Sequence, residues 1–365
     1  MRCTRLAAAA ALLAVVLATA CSPPAAEPAD PGPPAAPATP AAPGPAATPG
    51  AAPEDVLTGL DVPWSVAFLG DTPLISTRER AEVLEPAADG GTRVVGTVPD
   101  VAPSGEGGLL GLAVADGYLY TYATTADGNR VDRFPLEGDP GALRLGPREP
   151  VLDGIPAASK HDGGRIAVGP DGMLYVGTGD AGQRDAAQDP GSLAGKILRV
   201  TPDGDVPADN PFPGSPVWSL GHRNVQGLAW SDDGTLYATE FGQDTWDELN
   251  VITPGANYGW PVVEGVAGRE GYVDPVQQWT PDAASPSGVA FLDGTLYVAN
   301  LKGSVLRAVP AAEPGTAVDL FAGTYGRLRD AVASPDGSLW LVTGNTDGRG
   351  TPRTGDDRIL RVPLR

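Results

Sequence analysis

An all-β fold, a six-bladed β-propeller, is what this sequence predicts, and three observations carry the prediction. A hairpin unit recurs six times between residues 65 and 341. Each copy is followed by one more short apolar run, which makes a multi-stranded sheet of every repeat. The 49 Gly and 39 Pro in 365 residues are also too many for a mainly helical chain. Closing six sheets into a ring leaves few exposed strand edges; an open β-solenoid would have shorter and more even repeats.

The unit reads small, apolar, Ala, apolar, then a turn that often holds Asp-Gly, then an apolar run with Leu-Tyr or a similar pair. In the third copy, Arg165-Ile166-Ala167-Val168 and Leu174-Tyr175-Val176 flank Pro170-Asp171-Gly172, whose Gly supplies the positive φ of the reversal. The six hairpins occupy 65–68 with 74–76, 111–114 with 118–120, 165–168 with 174–176, 227–230 with 236–238, 288–291 with 296–298, and 331–334 with 339–341. Their marker alanines, at 67, 113, 167, 229, 290 and 333, are 46, 54, 62, 61 and 43 residues apart, room for four strands and loops of varied length. A small residue there suits inner strands crowded near an axis. The strands that follow are expected at 82–84, 130–134, 196–200, 248–252, 304–307 and 358–362.

Ahead of the repeats, Arg2 and Arg5 precede an apolar run from Leu6 to Leu17 that is too short to span a membrane, then Ala18-Thr19-Ala20-Cys21. This resembles a bacterial lipoprotein signal with Cys21 as the acylated residue, although Ala18 stands where Leu is usual; an ordinary signal peptide with an incidental Cys is the alternative. Residues 1–20 are thus expected to be a signal peptide, 21–54 a Pro/Ala-rich disordered tether, and 55–365 the propeller. Extended at ~3.1 Å per residue, the tether would reach roughly 90 Å. The two cysteines, Cys3 and Cys21, both precede the propeller, so no disulfide or thiolate metal site is available to it. A net charge of −20 argues against nucleic acid or an anionic membrane surface as a partner.

Repeat phase turns sequence position into location. Residues just before an inner strand and just after its hairpin partner lie on one face in every blade. His161, Arg223 and Arg327 each lie six residues before their marker alanine and Arg329 four before; Asp180, Gly242 and Lys302 lie 13, 13 and 12 after theirs. One rim therefore gathers a histidine, a carboxylate that can orient it, and four cations. In so acidic a chain this suits a polyanionic ligand, with surface salt bridging to neighbours such as Asp330 as the plainer alternative, worth only ~0–1 kcal/mol per pair. The run from Thr239 to Asn250, followed by Asn257-Tyr258-Gly259-Trp260-Pro261, offers carboxylates and free carbonyls near Gly242 that suit a hard cation such as calcium, but without the spacing of the twelve-residue helix-loop-helix calcium loop.

The motifs Gly105-Glu106-Gly107-Gly108-Leu109-Leu110-Gly111, His161-Asp162-Gly163-Gly164-Arg165, Gly221-His222-Arg223-Asn224-Val225-Gln226-Gly227, Asp247-Glu248-Leu249-Asn250, Asn257-Tyr258-Gly259-Trp260-Pro261, Leu301-Lys302-Gly303 and Arg327-Leu328-Arg329-Asp330 come in one order. Together they resemble the soluble PQQ-dependent glucose/sorbosone dehydrogenase family, and within it the aldose sugar dehydrogenase branch, from about Leu57 to Arg365. That resemblance implies a propeller binding pyrroloquinoline quinone (PQQ) and calcium at its mouth and oxidising the anomeric carbon of aldoses to lactones. It implies His161 as general base, Asp180 as the carboxylate that orients it, and Arg223 and Asn224 beside the quinone oxygens. Lys302, Arg327 and Arg329 would meet the cofactor's carboxylates, and Glu106 and Asp247 would be further cofactor-site residues. Calcium would sit on the carbonyls of Gly242 and Gln243, and a second, structural calcium on Glu248 and the carbonyl of Tyr258.

Three positions depart from the family's best-known glucose dehydrogenases: Glu106 replaces a Gln, Ala283 a Thr and Gln243 a Pro. A carboxylate at 106 is awkward beside an anionic quinone unless it is protonated or paired with an arginine. The loops that shape the sugar pocket and dimer contact are short, so an open site and a monomer are expected. The implied partners are an aldose and an external acceptor, a cytochrome or a quinone. The expected location is extracytoplasmic, with lipid on Cys21 holding the chain to the cell membrane. Two other functions fit the same architecture: a propeller lactonase or other calcium-dependent hydrolase, and an inactive lipid-tethered sugar-binding module. Neither accounts for Lys302, Arg327 and Arg329 together with an intact His161.

Overall fold

Each marker alanine sits across the strand pair from a large residue, which is why the repeat pairs a small position with Leu-Tyr. Ala113 faces Tyr120, Ala167 faces Tyr175, Ala229 faces Tyr237 and Ala290 faces Tyr297. Such opposed pairs are the unit of sheet packing. The computed structural model describes residues 52–364; the expected signal peptide, Cys21 and nearly all of the expected tether lie outside them.

Six antiparallel sheets form the six-bladed propeller. Blade 1 runs through Pro63–Leu69, Thr72–Thr77, Glu82–Pro86 and Thr92–Thr97, and blade 2 through Leu109–Ala115, Tyr118–Thr125, Gly128–Glu137 and Glu149–Ile155, with Arg144–Leu145 as a fifth strand. Blade 3 comprises Gly163–Val168, Leu174–Thr178, Lys196–Val200 and Val217–Leu220; blade 4 comprises Val225–Trp230, Leu236–Glu240, Asp247–Ile252 and Gln277–Trp279. Blade 5 comprises Pro286–Leu292, Thr295–Asn300, Val305–Pro310 and Val318–Leu320. Blade 6 takes Leu328–Ala333, Leu339–Thr343 and Ile359–Val362 from the end of the chain and its outer strand, Glu54–Leu57, from the start. That strand begins within the stretch expected to be tether. Each inner strand packs on the next, and the sixth returns to the first.

Every inner strand slips register near its beginning: between Pro63 and Val66, Leu109 and Leu112, Gly163 and Ile166, Val225 and Gly227, Pro286 and Val289, and Leu328 and Asp330. A bulge re-aims the side chains it carries. Six bulges at one end of the ring turn Ser65, Arg165, Gln226, Ser287 and Arg329 into a mutual hydrogen-bond network. At the other end of the same strands the axis opens into a well of about 530 Å³ whose walls include Val66, Val114, Val168, Trp230, Phe291 and Val332. The apolar cores lie between blades; one unites Trp64, Tyr120, Tyr122, Ile166, Val176 and Leu198.

Candidate active site

The blade 3 hairpin brings His161 and Asp180 together because Gly163 pairs with Thr178, so the residues just beyond each strand face one another. His161 takes a left-handed backbone conformation, φ +59°, which costs on the order of 1–3 kcal/mol for such a residue. Its carbonyl accepts the N–H of Ala181 at 3.1 Å. A Cβ at Gly179 would lie 1.7 Å from that carbonyl, so only glycine permits the approach. His161 Nδ1 then meets Asp180 Oδ1 at 2.7 Å, with Asp180 wholly buried.

Burial alone would raise the Asp180 carboxyl, but hydrogen bonds from His161, the Gly182 N–H and the Trp260 indole N–H hold it below the ordinary range. An ionised acceptor places the imidazole proton on Nδ1 and leaves a lone pair on Nε2. That lone pair points to the guanidinium of Arg223, whose Nη2 donates at 2.8 Å. The pair is therefore an oriented base whose reactive nitrogen is held by a donor.

Arg223 and Asn224 come from the corner before the blade 4 inner strand. Asn224 Oδ1 accepts the Gly163 N–H at 2.9 Å, and the Asp180 N–H bonds the Arg223 carbonyl at 2.8 Å, stitching blades 3 and 4 at the rim. Glu106, from the loop before the blade 2 inner strand, accepts the His161 backbone N–H at 2.8 Å and the Asn224 amide at 3.4 Å. Its other oxygen lies 3.5 Å from Arg349, so the carboxylate at 106 has an arginine for a partner. Arg349 escaped sequence reasoning because it lies in an irregular loop outside the repeat.

The cations divide. Arg327 donates to Asp347 at 2.9 Å, and Arg329, fully buried, lies 4.0 Å from the same carboxylate and donates to Gln226 and Ser287. Burial first, then the like charges of Arg78, Arg327 and Arg165, push Arg329 down to about 9 against the pull of Asp347. Lys302 stands apart, exposed and paired with Asp282. Asp330 serves Arg165 at 2.8 Å rather than the rim cations. A small cavity is lined by Trp64, Arg78, Glu106, Asp162, Arg329 and Arg349 among others. Around it Arg78 Nε and Asp162 Oδ2 are buried without a hydrogen-bond partner. Repeat phase contains a signal for two residues the sequence reading missed: Arg78 lies eleven residues after Ala67 and Asp347 fourteen after Ala333, near the offset of Asp180 from Ala167.

In blade 4, Asp247 clamps two segments, accepting the Gly242 N–H at 2.8 Å and the Ser285 N–H at 2.7 Å; burial pushes it up to about 6. Glu264 gathers the N–H groups of Gln243, Thr245 and Trp246, which shapes the turn carrying Gly242 and Gln243. Behind the turn, Glu248 and Glu240 are both buried and share Asn250 as donor, while Asn250 Oδ1 has no partner. Burial, then the neighbouring Glu240, drives Glu248 well above the usual carboxylate range. The Tyr258 ring stacks on His222 at 4.7 Å, and His222 bridges Ser219 and Glu240. Among the described residues no three His, Cys, Asp or Glu side chains converge as a metal site, so a cation here must take oxygens from peptide carbonyls as well.

The chain was compared with known proteins. Residues 60–360 match the family model described as glucose/sorbosone dehydrogenase. The aldose sugar dehydrogenase YliI of Escherichia coli is 30% identical over 337 residues, which cover 79% of this chain and 89% of that one. The PQQ-bound form of aldose sugar dehydrogenase from Streptomyces coelicolor is 48% identical, with a TM-score of 0.82, over 87% of this chain and 100% of that one. A glucose dehydrogenase structure from Thermus thermophilus is 43% identical, with a TM-score of 0.78, over 86% and 99%.

Proposed function

This chain belongs to the glucose/sorbosone dehydrogenase family, and we propose that it is a PQQ- and calcium-dependent aldose dehydrogenase that oxidises the anomeric carbon to a lactone. The observation that carries the reading is the His161–Asp180 pair, oriented at 2.7 Å on the same rim as a buried arginine cluster. The cofactor named for the Streptomyces coelicolor relative is a tricarboxylate, and the donors here suit one. Arg329 is strained by burial and like charge, Arg78 Nε lacks an acceptor, and carboxylates in the cavity would relieve both. Arg327, Arg329 and Lys302 would hold those carboxylates, with Arg223 and Asn224 at the quinone side and Glu106 and Asp247 bounding the site. For calcium, the surplus of buried acceptors at Glu240, Glu248 and Asn250 suits a hard cation on Glu248 and the Tyr258 carbonyl. The Gly242 and Gln243 carbonyls would supply the second site.

When bound, PQQ supplies the hydride acceptor. The chain's own part is proton handling and placement. Asp180 fixes the imidazole proton on Nδ1, so His161 takes the proton of the anomeric hydroxyl at Nε2 after Arg223 turns aside. Base catalysis of this kind contributes about 10²–10⁴-fold. A lactonase would have no use for the arginine cluster. Residues 1–20 are proposed as an export signal and Cys21 as a lipid anchor, with the propeller working outside the cytoplasm as a monomer and passing electrons to a cytochrome or quinone. Adding PQQ and calcium to the purified protein should produce aldose-dependent dye reduction; hydrolysis of lactones without any redox signal would sink the reading.

A further inference from the structure

The hydrogen bond between Arg223 and His161 has a mechanical cost for a base. An imidazole nitrogen that accepts an N–H has its lone pair engaged, so His161 takes no proton at Nε2 while Arg223 Nη2 donates to it at 2.8 Å. The guanidinium must let go and yet stay near. Four of its five N–H groups have acceptors: Nε and Nη2 both reach Gln243 Oε1, at 3.2 and 2.9 Å, Nη1 reaches the Phe241 carbonyl at 3.0 Å, and the other N–H of Nη2 reaches His161. Two of these four end on one amide oxygen. Gln243 is itself held by its backbone N–H on Glu264 at 2.7 Å, and Trp260 presents its ring 5.4 Å from the guanidinium carbon.

We propose that the side chain of Gln243 is a positioning residue for Arg223. Its Oε1 is the pivot that sets the guanidinium against His161 Nε2 and retains it at the rim when that bond opens. The kinetic meaning rests on His161 being the base of an aldose dehydrogenase; the geometric claim stands without it. Gln243 lies at a position where the resembled enzymes carry Pro, which offers no such oxygen, so the device belongs to this chain.

Imidazole ¹⁵N NMR tests the claim directly, because the chain has only two histidines and His222 is buried with bonds of its own as an internal reference. On the full protein without added cofactor or calcium, Gln243→Ala should move the His161 Nε2 resonance toward that of a free lone pair and leave both His222 nitrogens in place. Gln243→Glu, which keeps the acceptor, should restore it. With PQQ, calcium and an aldose, Gln243→Ala should lower kcat about tenfold, the effect of weakening hydrogen bonds to a charged group, at unchanged KM. An unmoved Nε2 resonance in Gln243→Ala, or the same displacement in Gln243→Glu, overturns the proposal. Absence of aldose oxidation by the wild-type protein overturns instead the dehydrogenase reading, and the NMR result still decides the pivot.

Discussion

Asp180 shows how much of this site depends on single atoms. Its two oxygens divide the work, Oδ1 on His161 and Gly182 and Oδ2 on the Trp260 indole at 2.8 Å. Asp180→Asn cannot serve both: either its amide N–H₂ faces the indole N–H, or it flips and presents a donor to Nδ1, which forces the wrong tautomer. The expected outcome is a fall in kcat of about 10²-fold or more with little change in cofactor affinity, read by steady-state kinetics beside a PQQ titration. Trp260→Phe removes one hydrogen bond and keeps the ring, so kcat should drop only about fivefold, in line with ~1 kcal/mol. The His161–Asp180 pair was legible from repeat phase, since both residues flank one hairpin. Trp260 was visible only as part of a motif; its partner lies 80 residues away and no periodicity links them.

At the scale of elements, the blade 4 turn and strand store unfavourable charge. Glu248 is favoured in its protonated form by burial and by Glu240, so its folded pKa lies above its unfolded value. That contribution to stability is fully present below the ordinary carboxylate range and is lost as pH rises through the shifted value; the smaller one from Asp247 is lost by about pH 6. Without calcium, Tm should therefore decline as pH is raised above neutrality, and calcium should restore it. Glu248→Gln should abolish both the decline and the calcium response, measured by calorimetry at several pH values. A second device joins the loops of blades 2 and 6, the Glu106–Arg349 pair. Arg349→Ala leaves Glu106 uncompensated beside the cavity and should weaken PQQ binding several-fold, whereas Glu106→Gln in that background should recover it. Inner hairpins and third strands were readable because they are buried and apolar. The fourth strands were not: Val318–Leu320 is largely exposed and Gln277–Trp279 only half-buried, so no pattern marks them. The six bulges were equally invisible, as a register slip has no compositional signature here.

The whole molecule is a ring closed by its own beginning. Glu54–Leu57 completes blade 6, and Leu57 and Leu60 pack with Ile75, Val342 and Ile359. Starting the chain after Thr58 removes that strand, at a cost of ~2–4 kcal/mol from lost apolar burial, and should lower Tm by roughly 5–15 °C; starting it just before Glu54 should not. Closure also fixes the distances among rim residues drawn from blades 1, 2, 3, 4 and 6, which no local sequence stretch contains. Repeat counting reached the ring and the rim, but side-chain pairing across blades decides which cations remain available and which, like Lys302 and Arg165, are already engaged. The central claim is that His161 is the base of a PQQ-dependent aldose oxidation, and the measurement that tests it most directly is titration of wild-type and His161→Ala protein with PQQ and calcium, followed in the same samples by aldose-dependent dye reduction. Both proteins should bind the cofactor with similar affinity, and turnover by His161→Ala should fall by at least about 10²-fold; undiminished turnover in His161→Ala would contradict it.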